Sequence, residues 1–207
     1  MGRSPFYWTA ARIFEDFMIV EKIVVGDLET NCYLAFATTG ADEVLVIDPG
    51  DDAEKILDRI AKRNVAAVLL THGHFDHTGA LSAFRDVPIY IHAKDAPMLR
   101  DNRLSVGELM GDKAARPAAT HHMKEGEMIE LAGLKLRVME TPGHTMGSVC
   151  LICDNQVFTG DTLFDGDYGR TDLPGGSATL MRASLKRIFE LQGHRAYPGH
   201  GGETSIK

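Results

Sequence analysis

An unbroken apolar run, Val65–Leu70, ends in Thr71-His-Gly-His-Phe-Asp-His77, which puts three histidines and an aspartate within six residues. Six consecutive apolar residues suit a strand covered on both faces better than a strand with one wet side. Such a strand needs a layer above and below its sheet, which restricts the chain to a layered α/β arrangement. In extended chain His72 and His74 point to the same side, a spacing suited to one metal ion. Asp76 and His77 follow a turn and are displaced toward a second ion. Gly73 lets the backbone bend closely around the first. Neutral imidazole and carboxylate are ligands that divalent transition metals prefer.

The rest of the chain supplies the layers. Met18–Val25 alternates as a strand, Asn31–Ala37 is short and apolar, and Glu43–Ile47 ends at the turn signal Asp48-Pro49-Gly50. Ala53–Arg63 has Ile56, Leu57 and Ile60 at helical spacing. Gly79–Phe84 and Asp95–Arg100 read as helices around an Ile89–Ile91 strand. Met128–Leu131 with Leu134–Glu140, and Ser148–Cys153 with Gln156–Thr159, read as two hairpins. Ser177–Leu191 is an amphipathic helix with Ser177 as N-cap and Gly193 beyond its end. Arg195–Tyr197 is a last strand. No linker or repeat interrupts this pattern, so residues 18–207 are expected to form one domain, preceded by a leader or extension over residues 1–17.

Three later segments repeat the order strand, glycine, ligand: Thr141-Pro-Gly-His144, Thr159-Gly-Asp161 and Pro198-Gly-His200. Singly each is weak. Together with the first cluster they define a candidate ligand set of His72, His74, Asp76, His77, His144, Asp161 and His200. The net charge of −7 gives no electrostatic footprint for nucleic acid. No apolar run approaches the length of a membrane span. Three cysteines make no disulfide framework and suit a reducing cytoplasm. Cys150 and Cys153 sit three apart in a strand, so their thiols face opposite ways and are expected to be packing residues.

His72-Gly-His-Phe-Asp-His77, followed by His144, Asp161 and His200, resembles the signature of the metallo-β-lactamase superfamily over about Met18 to Gly202. The resemblance implies a four-layer αββα sandwich with metals at one edge. It implies that His72, His74 and His144 hold one ion, that Asp76, His77 and His200 hold the other, and that Asp161 bridges them. Gly160-Asp-Thr-Leu-Phe164, Gly169-Arg-Thr-Asp-Leu-Pro-Gly-Gly176, Asn31-Cys-Tyr33 and Asp48-Pro-Gly50 resemble the short bacterial form of the glyoxalase II-like branch, the hydroxyacylglutathione hydrolases. That branch implies hydrolysis of a small thioester such as lactoylglutathione by hydroxide shared between the metals and Asp161, oriented by Asp76. Zinc is the first expectation for the metals, with iron or manganese as alternatives.

The nearest rival is a persulfide dioxygenase of the same superfamily, with one iron on His72, His144 and Asp161. A lactonase or β-lactamase-like hydrolase is a further alternative. Arg170 and Tyr168 are candidate substrate contacts, with an Arg170–Asp172 pair as the structural option for the arginine; Tyr197 is named on position alone. His121 and His122 point apart and read as surface histidines, His92 as supporting structure, and His194 as a helix-terminal residue.

Overall fold

The computed structural model describes residues 18–207; the predicted leader over residues 1–17 lies outside them. The strands form two six-stranded sheets. In spatial order the first holds β1 (Ile19–Val25), β2 (Thr30–Phe36), β3 (Glu43–Ile47), β4 (Asn64–Leu69), β5 (Ile89–His92) and β6 (His121–Met123). The second holds β7 (Met128–Leu131), β8 (Leu134–Glu140), β9 (Val149–Cys153), β10 (Gln156–Gly160), β11 (Arg195–Pro198) and β12 (Thr204–Ser205). The helices are α1 (Ala53–Ile60), the single turn α2 (Phe75–Thr78) and α3 (Ala178–Ile188).

Three apolar layers hold these elements. Between the sheets lie Tyr33, Leu45, Leu69, Leu136, Val149 and Phe158. Outside the first sheet Ile56, Ile60, Leu81 and Phe84 pack on Val44, Val46 and Val68. Outside the second, Ile188 of α3 packs with Cys150, Ile152 and Val157. The order is therefore αββα. The pleat of β4 explains its uninterrupted apolar sequence: Ala67 and Leu69 face the second sheet, while Val68 and Leu70 face the helices. Burying each such large side chain contributes on the order of 1.5–3 kcal/mol. The same alternation sends Cys150 to the α3 side and Cys153 between the sheets, both buried and unpaired.

The expected helix over Gly79–Phe84 is 3-10, and the one over Asp95–Arg100 shrinks to a 3-10 turn at Ala96–Leu99 containing Pro97. Segments this short tighten readily to i→i+3 bonding. Two short strands, β6 and β12, were not expected. At α3 the N-cap is as anticipated, Ser177 Oγ accepting the Leu180 amide at 3.3 Å.

Pairing directions decide where the site lies. Strands β3, β4, β5 and β6 run parallel, and β8, β10 and β11 run alike because β9 is antiparallel to both β8 and β10. The chain therefore leaves β3, β4 and β5 of one sheet, and β8, β10 and β11 of the other, at one common edge. Backbone bonds sew the sheets together there: Val149 N–H donates to Thr71 O at 2.9 Å and Asn31 N–H to Gly199 O at 2.7 Å.

Candidate metal centre

Every residue of the sequence-derived ligand set lies at this edge. His72 and His74 leave β4, Asp76 and His77 sit on α2, and His144, Asp161 and His200 follow β8, β10 and β11. Their donor atoms fall into three overlapping groups: His72, His74 and His144; His72, His77 and Asp161; Asp76, His77 and His200.

Hydrogen bonds on the far side of four rings show which nitrogen faces inward. His72 Nδ1 is 3.2 Å from Thr71 Oγ1, whose own proton goes to Asp48 Oδ2 at 2.6 Å. His77 Nδ1 meets Asp48 Oδ2 at 3.0 Å, His144 Nδ1 meets the Arg170 carbonyl at 2.7 Å, and His200 Nδ1 meets the Leu28 carbonyl at 3.0 Å. Since each acceptor requires N–H on Nδ1, the Nε2 atoms of these rings point into the site as lone pairs when the rings are neutral. His74 instead turns Nδ1 inward, 3.1 Å from His72 Nε2 and 2.8 Å from His144 Nε2.

Three inward nitrogens in that cluster cannot satisfy one another, because two of them have already placed their protons elsewhere. Nearby, His77 Nε2 lies 3.4 Å from Asp161 Oδ1, and both atoms are buried without a hydrogen-bond partner among the described residues. Buried polar atoms are rarely left so, and a divalent cation satisfies lone pairs of this kind all at once. The residues fit a metal.

Electrostatics divides the cluster. Burial first, and then the neighbouring imidazoles, hold His72 well below the ordinary histidine range and bring His74 to about 3. Burial also disfavours charge on His77, but Asp76, Asp161 and Asp48 outweigh it and raise the group. His200 is likewise raised against burial, through its hydrogen bond to Asp76 and the field of Asp161. Burial opposes ionisation of Asp76 and Asp161, yet His77 and the other imidazoles hold both below the usual carboxylate range. One end thus carries two histidines held low, His72 and His74, and the other is rich in carboxylates.

Two supporting residues escaped sequence reasoning. Asp48, read as part of a turn, accepts the Thr71 amide at 2.8 Å and orients His77 and Thr71. Asp95 accepts from Gly73 N–H at 3.1 Å, Thr145 Oγ1 at 2.6 Å and Gly147 N–H at 2.8 Å. It ties the His72–His74 turn to the His144 turn. Neither aspartate stands in a histidine-rich segment; position directly after β3 or shortly after β5 was the signal available.

A cavity of about 570 Å³ opens over the ligands, lined by Leu28, Val106, Met110, Phe164, Arg170 and Leu173 among others. Arg170 pairs with Asp172 through two contacts of 2.7 Å. Tyr168 lines a neighbouring cavity that shares Phe164. Tyr197 is a core residue between the sheets, its hydroxyl donating to Gln156 Oε1 at 2.6 Å, so the position-based reading of it as a substrate contact is corrected. His92 bonds Glu140 at 3.1 Å; His121 and His122 are exposed on β6. No helix among the described residues is long and apolar enough to cross a membrane.

An αββα sandwich whose edge gathers five histidines and two aspartates from both sheets defines a metal-centre class of protein. The metallo-beta-lactamase superfamily model matches residues 25–200, and the chain belongs to that superfamily. It is 34% identical to "Probable metallo-hydrolase YqgX" of Bacillus subtilis over 195 residues, 89% of this chain and 91% of that one. Among solved structures it is similar to the BLEG-1 B3 metallo-beta-lactamase, with TM-score 0.85 and 33% identity over 91% of this chain and 94% of the other. TTHA1623 in a di-iron-bound form gives 0.79 and 35%, over 90% and 94%. ETHE1 from Myxococcus xanthus gives 0.75 and 27%, over 91% and 80%.

Proposed function

We propose that residues 18–207 form one metal-dependent hydrolase domain that binds two divalent ions and cleaves thioesters. His72, His74 and His144 would hold one ion and Asp76, His77 and His200 the other, with Asp161 between the two groups as the shared carboxylate. The observation that carries this reading is the crowd of inward lone pairs, with His77 Nε2 and Asp161 Oδ1 buried and unpartnered. The likeness to YqgX and to a di-iron-bound structure supports it. Zinc and iron are the leading candidates for the metal, with manganese behind them.

When bound, two divalent ions lower the pKa of water and polarise an acyl oxygen. The chain's own residues then set geometry. Thr30 Oγ1 donates to Asp76 Oδ2 at 3.1 Å and His200 Nε2 stands 3.2 Å from the same oxygen. That leaves Asp76 fixed as the group that orients the attacking water. A glutathione thioester such as hydroxyacylglutathione is the substrate to test first, because the sequence resemblance points to it. Arg170 at the cavity wall and Tyr168 beyond Phe164 are the proposed contacts. The three unpaired, buried thiols support a reducing, cytoplasmic setting.

The rival reading, one iron on His72, His144 and Asp161, is favoured by the 3.4 Å separation of His144 Nε2 and Asp161 Oδ2 and by the likeness to ETHE1. It leaves His77 Nε2 facing carboxylates with no ion to join them, so the two-ion reading is preferred. The test is metal content per chain followed by thiol release from lactoylglutathione, alongside oxygen uptake with glutathione persulfide. Two ions per chain with thiol release is expected; one iron with oxygen consumption would overturn the proposal. His74→Ala and Asp161→Ala should each abolish thiol release while the fold is kept, and activity within about tenfold of the unaltered chain refutes the ligand assignment.

A further inference from the structure

The wall of the metal cavity carries information about the substrate beyond the chemistry of the ions. Apart from the metal-ligand candidates, its lining side chains are Leu28, Phe75, Val106, Leu109, Met110, Phe164, Leu173 and one charged residue, Arg170. Leu28, Leu109 and Met110 are exposed by 43%, 77% and 59%. Exposing three large apolar side chains around one opening costs hydrophobic free energy that a bound apolar group recovers.

This wall is fixed rather than loosely placed. Val106 adopts φ 66°, a left-handed backbone that a β-branched residue rarely takes, and this starts the turn bearing Leu109 and Met110. The buried Arg116 fastens the same segment to α2: it donates to Thr78 Oγ1 at 2.7 Å and to the Phe75 carbonyl at 3.2 Å, while gripping Asp112 at 2.6 Å. The Phe75 amide also bonds the Ser105 carbonyl at 3.0 Å. The apolar turn and the helix carrying Asp76 and His77 are therefore one unit.

Charge argues the same way. Arg170, the one Lys or Arg of this lining among the described residues, is already forked onto Asp172, so a substrate carboxylate has to displace that pair. Across Asp76 a second cleft shares Leu28, Phe75 and Met110 with the cavity, and its rim carries Asp27, Asp51 and Asp112. With Asp112 held by Arg116, the carboxylates left on that rim are Asp27 and Asp51, and a polar cleft of this kind suits the departing thiol better than an apolar acyl chain. The acyl half belongs on the apolar side.

Within the thioester-hydrolase reading, on which this rests, we infer that the group seated over the metals is an uncharged, apolar acyl chain. The enzyme then prefers thioesters of alkyl or aryl carboxylic acids to those of small hydroxy acids such as lactate. Water supplies the oxygen that joins the acyl carbon as the carbon–sulfur bond breaks. One water proton ends on the thiol and the other on the carboxylic acid, which ionises.

The test uses the metal-loaded full chain and N-acetylcysteamine thioesters of lactate, acetate, butyrate, hexanoate and benzoate, followed by released thiol. A fully buried methylene is worth on the order of fourfold. With partial burial, kcat/KM is expected to rise at least tenfold from acetyl to hexanoyl, with lactoyl below butyryl. In the Leu109→Ser, Met110→Ser double variant the hexanoyl-to-acetyl ratio should fall at least fivefold. A flat or inverted series in the unaltered chain, or an unchanged ratio in the variant, overturns the inference while leaving the hydrolase reading standing. No turnover of any thioester by chain carrying two ions overturns both.

Discussion

Asp48 takes the Thr71 amide on one oxygen and the Thr71 hydroxyl and His77 Nδ1 on the other, so one buried carboxylate orients His77 directly and His72 through Thr71. Partners of this kind typically account for 10–100-fold in metal affinity. Asp48→Asn is therefore expected to weaken metal retention by about that factor, read by competition with a chelator; affinity within about twofold of the original contradicts the role. The raised groups His77 and His200 set the pH response. A histidine raised above its ordinary range gives up its proton at higher pH and must lose it before a cation can bind. Metal affinity should thus increase as pH rises from about 6 to 8, with proton release on binding that titration calorimetry in buffers of different ionisation enthalpy detects. His72 and His74, held low, release nothing in that window.

At the scale of elements, α2 owes its position to a close approach of two backbones. A Cβ on Gly50 would stand 1.8 Å from the Asp76 carbonyl oxygen, and one on Gly79 would stand 2.2 Å from the Gly50 carbonyl oxygen. Ala80 N–H donates to Pro49 O at 3.0 Å, closing the contact. Gly50→Ala should push α2 outward, lowering stability by roughly 1–3 kcal/mol and metal occupancy on the Asp76 side, seen by thermal melting and metal analysis. An unshifted melting point with full occupancy would show that the loop yields freely. Elements with strong periodicity were legible from residues alone. The strand β1 follows its alternation, β3, β8 and β9 follow their apolar content and flanking turns, and the α3 cap follows Ser177. His121-His-Met123 was not, because two exposed polar residues and one buried methionine carry no alternating apolar signal; β5 recruits them as an edge. Two-residue β12 likewise exists only through pairing with β11. The histidine-rich turn advertised a metal chemistry, whereas Asp48 and Asp95 look like ordinary loop aspartates until strands far apart in sequence bring them to the ligands.

The molecule as a whole brings together candidate ligands from both sheets: His72, His74, Asp76 and His77 from the first, His144, Asp161 and His200 from the second. Ions held there bind the folded chain alone, so they add to its stability by mass action. At a free metal concentration about a thousandfold above Kd the gain is about 4 kcal/mol. For a chain of this size that corresponds to a melting temperature higher by roughly 8–16 °C, which chelation should remove. A shift under about 2 °C would argue that the ligands do not share ions across the sheets. The seam bonds, Val149 N–H to Thr71 O and Asn31 N–H to Gly199 O, lie beside the same ligands. Parting the two leaves of the sandwich at that border means surrendering the ions. With ions bound as proposed, deuterium uptake at the Asn31 and Val149 amides should follow metal escape, and the proposed centre would double as the latch that sets how often the protein breathes.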